Sequence, residues 1–303
     1  MDLRQLAALT AVADHRSFSS AARALHTVQS NVSTHVARLE REVGATLVER
    51  ATGQLTDAGE LVVARARRIL NELNALTADV ASSLGEVSGS VRLGVIGTTG
   101  RWLLPLLLDA LAAQYPDVRL VTVDATTTSL VPQLAAGTLD FAVVNLPVTD
   151  PDVETEAIFD EDHVLLAPTG HPLAAHRELS LADLAETPLL LEPRGTAFRD
   201  DLEVDAGRLG VELVSAAEID GMRMLVSLAQ QGVGAAILPA SATQGTDERT
   251  RVIPLRGTSP RAVGLATPRR SRLSSPATAA IELVRDLIRA EVPHRQGLDL
   301  VEP

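Results

Sequence analysis

The chain has 303 residues, a net charge of −12 at neutral pH, 46% apolar and 2% aromatic residues, and no cysteine. That length fits about two domains and a connector, and the missing thiols exclude disulfides, thiolate metal sites and a cysteine nucleophile. No apolar run approaches the roughly 20 residues of a membrane span, and the opening Asp2-Leu3-Arg4-Gln5 lacks the basic-then-apolar pattern of a secretion signal, so a reducing cytoplasm is the expected setting. All 27 basic residues are arginine, which reads as genomic base composition rather than chemistry. Arginines and acids balance over residues 1–65, so the acidity lies mainly in the C-terminal part.

Ser17 to Gly59 reads as two short helices joined by a tight turn, then a short connection and a third helix. Ser17 is placed to cap the first of these helices, with Phe18, Ala21, Ala22 and Leu25 turned inward. In Gln29 to Val43, the apolar Val32, Val36, Leu39 and Val43 share one face at 3.6 residues per turn. Ser30, Asn31, Thr34, Arg38 and Arg41 fall on the other side. Short polar side chains near a helix N-terminus can reach base edges, and arginines further along suit phosphates or guanine. An exposed polar helix braced across another is how a small domain enters the major groove. Polarity alone would fit an ordinary solvated helix equally; the ordered spacing of the whole segment favours the DNA reading. His26 in the turn and His35 on the helix flank could each touch a phosphate.

The residues Asp2-Leu3-Arg4-Gln5-Leu6, Ser17-Phe18, Ala21-Ala22, Leu25, Gln29-Ser30, Val32-Ser33, Leu39-Glu40, Gly44, Leu47, Arg50, Leu55-Thr56 and Ala58-Gly59 stand in one order. In that order they resemble the LysR family of bacterial transcriptional regulators. The resemblance implies a winged helix-turn-helix, all-α with a short wing, over residues 1–58. It implies a DNA-binding set of Gln29, Ser30, Asn31, Ser33, Thr34, His35, Arg38 and Arg50. The implied partners are double-stranded promoter DNA, a small-molecule effector, further copies of the chain as homodimer or homotetramer, and RNA polymerase if the protein is an activator. Three positions depart from the pattern. Val28 replaces the usual serine or threonine cap, with Thr27 one place earlier, so either Thr27 caps a longer helix or the start is weaker by about 1 kcal/mol. The wing, Ala51-Thr52-Gly53-Gln54, is short and has no basic residue, and Val48 stands where phenylalanine is usual.

From Ala58 to about Leu84 the chain is helical, with Val62, Ile69, Leu73, Leu76 and Val80 repeating at roughly seven residues and Ala66 as a small partner. The stripe fits a helix pair between two copies better than burial against the chain's own body. Gly85, Ser88 and Gly89 end this linker, assigned to 59–88.

Strands and helices then alternate, which predicts an α/β domain with parallel sheet and right-handed crossovers. Val91–Ile96, Val118–Val123 and Phe141–Asn145 read as strands, and Trp102–Gln114 and Leu130–Ala136 as helices. A second unit follows through Val164–Ala167, Leu189–Leu191, Phe198–Gly207, Glu212–Ala217, Met222–Gln231 and Ala235–Leu238. The chain returns to the first unit around Val263–Thr267 before a last helix, Ala277–Arg289. Gly137-Thr138-Leu139-Asp140, His171-Pro172-Leu173 and Gly232-Val233-Gly234 carry the resemblance through this part, implying a two-lobed, periplasmic-binding-protein-like effector domain. It spans 89–292, lobe I being 89–162 with 266–292 and lobe II 163–265, and 293–303 is a loose tail.

Ligands in such sheets sit at the carboxyl ends of the strands, where helix N-termini point. That places Thr98, Thr99 and Gly100, then Thr126, Thr127, Thr128 and Ser129, then Asn145 and Pro147, around one cleft, with Arg194 and Thr196 opposite. The set suits a small anion, most simply a carboxylate. Any one threonine reads equally well as a helix cap, and Arg194 equally well as a surface ion-pair partner. His163, His171 and His176 lack metal-ligand spacing, and no serine, histidine and acid stand in a catalytic order. The expectation is therefore no enzyme, no metal and no resident cofactor. Two other readings remain: a small-molecule binding protein with a weakened DNA head, and an effector-free architectural DNA-binding protein.

Overall fold

The computed structural model of the protein describes residues 1–83, 86–269 and 272–301. The head is built from α1 (Leu3–His15), α2 (Phe18–Ala24) and α3 (Gln29–Val43). Asp2 caps α1 through a reciprocal bond with Gln5, and Ser17 caps α2 as its sequence predicts. Leu6, Leu9, Val12, Ala21, Ala22, Val32, Val36 and Leu39 interlock in one core with Leu47 and Val48. Leu25 and Val43, expected to point inward, are exposed; each stands at the end of its helix, where no facing helix covers it. The wing is a single antiparallel bridge, Val48 to Leu55.

One continuous helix, α4 (Asp57–Ser83), leaves the head. Its Val63 and Ala66 complete the head core and Val62 packs against it, so the boundary expected at 58 falls inside a helix. Further along, Ile69, Leu73, Leu76 and Val80 are exposed, as is Leu61. From Ile69 on the stripe is thus uncovered by the chain's own body, while its first members, Val62 and Ala66, are taken up by the head core. Leu84 and Gly85, where the helix was expected to end, lie outside the described residues.

Lobe I comprises β1 (Gly89–Val95), α5 (Gly97–Gln114), β2 (Val118–Asp124), α6 (Thr127–Ala135), β3 (Phe141–Asn145) and β4 (Val153–Glu161). Lobe II runs through β5 (His163–Pro168), β6 (Leu179–Ser180), β7 (Leu189–Leu191), α7 (Ala197–Arg208), β8 (Ser215–Glu218), α8 (Met222–Gln230), β9 (Ala236–Pro239) and β10 (Thr250–Arg256). The chain then re-enters lobe I as β11 (Arg261–Pro268), α9 (Ser275–Glu291) and β12 (Leu298–Leu300).

Both sheets are mixed rather than parallel. In lobe I the order is β12-β4-β11-β3-β1-β2; β1, β2 and β3 are parallel, while β11 runs antiparallel between β3 and β4. In lobe II the order is β6-β10-β5-β9-β7-β8, with β5 antiparallel to both β9 and β10. The crossing strands produce this: a chain that leaves a sheet and returns to it brings strands back in the opposite sense. Because all of β11 belongs to lobe I, the return falls before Arg261, earlier than the expected 266. The tail is not loose over 298–300, since β12 pairs with β4. Helix α5 begins at Gly97, so Thr98, Thr99 and Gly100 form its first turn instead of a loop.

Candidate DNA-reading surface and effector cleft

On α3, Gln29, Ser30, Asn31, Thr34 and Arg38 are exposed together, with Ser33 and His35 half-buried beside them. Val28 occupies the cap position with no side-chain bond; Thr27 does not replace it, because its hydroxyl accepts from Asn31 Nδ2 at 3.0 Å. Gln29 accepts from Ser19 of α2 at 3.2 Å, which ties the two helices at their turn. Arg50 donates to Ser33 Oγ at 2.9 Å and lies 5.8 Å from the centre of the Phe18 ring. This arginine, just ahead of the wing, is thereby held against the shoulder of α3. Glu40 accepts the Leu47 and Val48 amides at 2.9 and 3.3 Å and so braces the wing from α3. Gly53, at φ +72°, turns the wing against the Arg16 carbonyl.

The carboxyl ends of β1, β2 and β3 lie side by side, with Val95 paired to Asp124 and to Val143. This brings the start of α5, the start of α6 and Asn145 to one edge. Thr127 Oγ accepts the Asn145 amide at 2.9 Å, and the buried Asn145 Oδ1 and Thr99 Oγ have no hydrogen-bond partner among the described residues. Thr126, Thr128 and Ser129 bond among themselves on the exposed rim, and Pro147 is exposed beside them. Gly100 is needed for packing, since a Cβ there would press within 2.9 Å of the Val95 side chain. Across the cleft, Thr196 caps α7 through the Arg199 amide. Arg194 is exposed and pairs with Glu203 at 3.6 Å, which is the surface ion pair its sequence equally allowed.

Another arginine that links the lobes is Arg261, which the sequence did not single out. It donates to Thr98 Oγ at 2.9 Å and through Nε to Glu161 at 3.2 Å, while Nη2 closes a second bond to the same carboxylate. Glu161 is fully buried and also accepts the Ser241 amide of lobe II at 2.5 Å. Glu192, at the end of β7, has its pKa raised by burial and by Asp220, against a Thr196 hydrogen bond and the charge of Arg261. Thr98, Arg261, Glu192 and Thr196 therefore form one electrostatic group spanning both lobes. His163, first residue of β5, is held neutral: burial, then the Arg261 charge, push its pKa down to about 4. Charged residues at strand ends were the available signal, Arg261 opening an apolar strand and Glu192 closing one.

Neither of two cavities among the described residues is lined by Thr98, Arg261, Glu192 or Thr196. One of about 460 Å3 lies between the starts of α5 and α8, where Asp124 of lobe I meets Arg223 of lobe II at 2.9 Å. The other, of about 860 Å3, lies between β10 and residues 294–297 and contains none of the sequence-predicted residues.

The family profile for the bacterial regulatory helix-turn-helix protein of the lysR family matches residues 3–60, and that for the LysR substrate binding domain matches residues 84–289. The chain belongs to the LysR family. It is a transcriptional regulator with a helix-turn-helix head and an effector-binding domain. Among LysR relatives, a "probable hydrogen peroxide-inducible genes activator" of Streptomyces viridosporus is 36% identical over 247 residues, 80% of this chain and 78% of that one. Full-length OxyR of Pseudomonas aeruginosa, solved with a cysteine-to-aspartate substitution, superposes with a TM-score of 0.77 at 26% identity, covering 100% of this chain and 99% of its own. The LysR-family regulator CbnR, solved on its target DNA, gives a TM-score of 0.68 at 27% identity, covering 94% of this chain and 99% of its own. Among the described residues, no helix of this regulator is long and apolar enough to cross a membrane.

Proposed function

We propose that this LysR regulator binds promoter DNA through α3 as a homodimer or homotetramer, and that a small carboxylate-bearing ligand in the inter-lobe cleft modulates the binding. The observation that carries the ligand reading is the group of Thr98, Arg261 and Thr196 at the mouths of α5 and α7. Guanidinium and helix-terminal amides are donors suited to a carboxylate. The exposed apolar stripe of α4 supports assembly into pairs. Asn31, Thr34, Gln29 and Ser30 are assigned to bases, and Arg38, Arg50, His35 and Ser33 to the sugar-phosphate backbone. The setting is the cytoplasm, the protein is not an enzyme, and RNA polymerase is a partner if it activates.

Peroxide-inducible relatives suggest a thiol switch, but this chain has no cysteine. Peroxide sensing through sulfenic acid or disulfide formation needs a thiolate, so reversible ligand binding replaces it here. The test uses fluorescence anisotropy on DNA upstream of the protein's own gene, with scrambled competitor at stated salt. Sequence-dependent binding insensitive to hydrogen peroxide, together with saturable quenching of Trp102 by a member of a panel of small carboxylates, is expected. Equal weak binding to both DNAs would overturn the reading of α3. A peroxide-dependent change in DNA affinity would overturn the ligand reading.

A further inference from the structure

We propose that Arg68 and Asn71 of α4 are positioning residues that fix the reading head on lobe I, and that α6 carries the state of the ligand cleft to them. The proposal rests on the effector reading above. Helix α6 is nine residues long, about 13 Å at 1.5 Å per residue, and its two ends meet different parts of the molecule. At the cleft end, Thr127 Oγ holds the Asn145 amide at the tip of β3. At the far end, the Ala135 carbonyl accepts from Arg68 Nη2 at 2.9 Å, and the Gly137 carbonyl from Asn71 Nδ2 at 2.6 Å. Ala135 is the last residue of α6, whose carbonyl lacks an intrahelical partner and attracts donors and positive charge, and Gly137 belongs to the turn just past the helix.

The contact is shaped for this fit. Asn71 Oδ1 accepts from Arg92 of β1 at 3.3 Å, so both halves of its amide are engaged. Arg68 also approaches Asp152 at 3.7 Å. Gly137 turns at φ +71°, and a Cβ there would come within 3.4 Å of Asn71 Nδ2. A second anchor lies further along α4, where Asp79 accepts the Ser275 amide at 3.0 Å and its hydroxyl at 2.6 Å.

On the head side, α4 is equally committed. Val63 and Ala66 are buried in the head core, and Arg67, next to Arg68, pairs with Asp14 of α1. Because α4 is unbroken from Asp57 to Ser83, displacing it at Arg68 and Asn71 displaces the head. A carboxylate that accepts from the Thr127 hydroxyl or from the first amides of α6 pulls on this end of the helix, while Thr127 Oγ goes on accepting the Asn145 amide and links the pull to the tip of β3. The opposite end of the same rod is what α4 grips. In an oligomer with two heads, that movement changes the distance between the DNA sites they occupy.

Coupling of this kind is established by a double-mutant cycle rather than by proximity. Hydroxyl-radical footprinting of the full-length protein on its own upstream DNA reads the spacing between protected half-sites. Thr127→Val removes the cleft-end bond and is expected to shift that spacing in the wild-type background. The shift should be lost when Asn71→Leu, which keeps the branched skeleton but removes both amide bonds, or Arg68→Ala is also present. Affinity for a single half-site should stay within about threefold in the α4 variants, and unchanged far-ultraviolet circular dichroism confirms that they are folded. An equal shift from Thr127→Val in all backgrounds, or none in any, overturns the proposal. If the cycle shows coupling while no carboxylate quenches Trp102, the transmission route stands and the effector reading alone falls.

Discussion

Arg261 and Glu161 face each other across the two points where the chain passes between lobes, Glu161 closing β4 and Arg261 opening β11. Glu161 is sealed from solvent and Arg261 keeps only a small accessible face, and the pair's satellites, Thr98 and the Ser241 amide, come from different lobes. A buried pair of this kind stabilises little over an apolar equivalent, but breaking it strands a charge. Arg261→Met should therefore cost about 3–5 kcal/mol, read as a lower urea midpoint of the full-length protein. Adding Glu161→Gln should restore part of that loss. A double variant as unstable as the sum of the singles would show that the two residues do not act as a pair.

His163 lies one residue beyond the outward crossing and supplies a pH dependence. Its folded-state pKa, about 4, is below the ordinary 6.5, so the unfolded chain binds the extra proton. Stability contributed by the neutral ring is thus complete above pH 6.5 and is lost as pH falls toward 4, by about 3 kcal/mol in all. Asp140 and Glu192, whose pKa values are raised chiefly by burial, act in the opposite sense, since protonation favours their folded forms. Comparison with His163→Gln isolates the histidine: the variant should melt with a flatter pH profile between 6.5 and 4. Parallel profiles would place the acid sensitivity elsewhere.

Gly59 sits in the first turn of α4, where replacing glycine by alanine ordinarily gains about 1 kcal/mol of helix propensity. Here the sign should reverse. A Cβ at Gly59 would overlap the Leu47 carbonyl, which belongs to the connection between α3 and the wing. Gly59→Ala must push α4 off the head core formed by Leu47, Val63 and Ala66. The expected result is a lower melting temperature for the head and weaker DNA binding, both from one added methyl.

The head was legible in the sequence because its helices are local objects: Ser17 caps, Val32, Val36 and Leu39 repeat, and the glycines stand where the chain turns. The cores of β3 and β7 were equally plain, being short apolar runs. What escaped were strands with polar alternation, such as β4 with its Glu154, Glu156 and Asp160, which a period-two pattern on an acidic background conceals. The cleft was half legible for a similar reason. Thr98, Thr127 and Asn145 follow directly from strands and could be placed, while Arg261 reaches Thr98 from 163 residues away. Its one local mark is that it opens an apolar strand, whereas Arg194 stands in a loop and the fold turns it to Glu203 on the surface.

The recognition helix begins without a side-chain cap, because Val28 stands at that position and Thr27 is turned to Asn31. The valine is exposed and its backbone is already extended, at φ −97° and ψ 150°. Serine at 28 would need no change of backbone to accept an amide proton from the first turn. Val28→Ser should stabilise the head by about 1 kcal/mol, visible as a higher melting temperature. Because Thr27 keeps its bond to Asn31, the side chains offered to base edges should stay in place, and sequence preference on DNA should be unchanged while affinity rises. A stabilised head with altered preference would mean that the start of α3 moves on binding, and that the uncapped valine is part of how the helix adapts to its site.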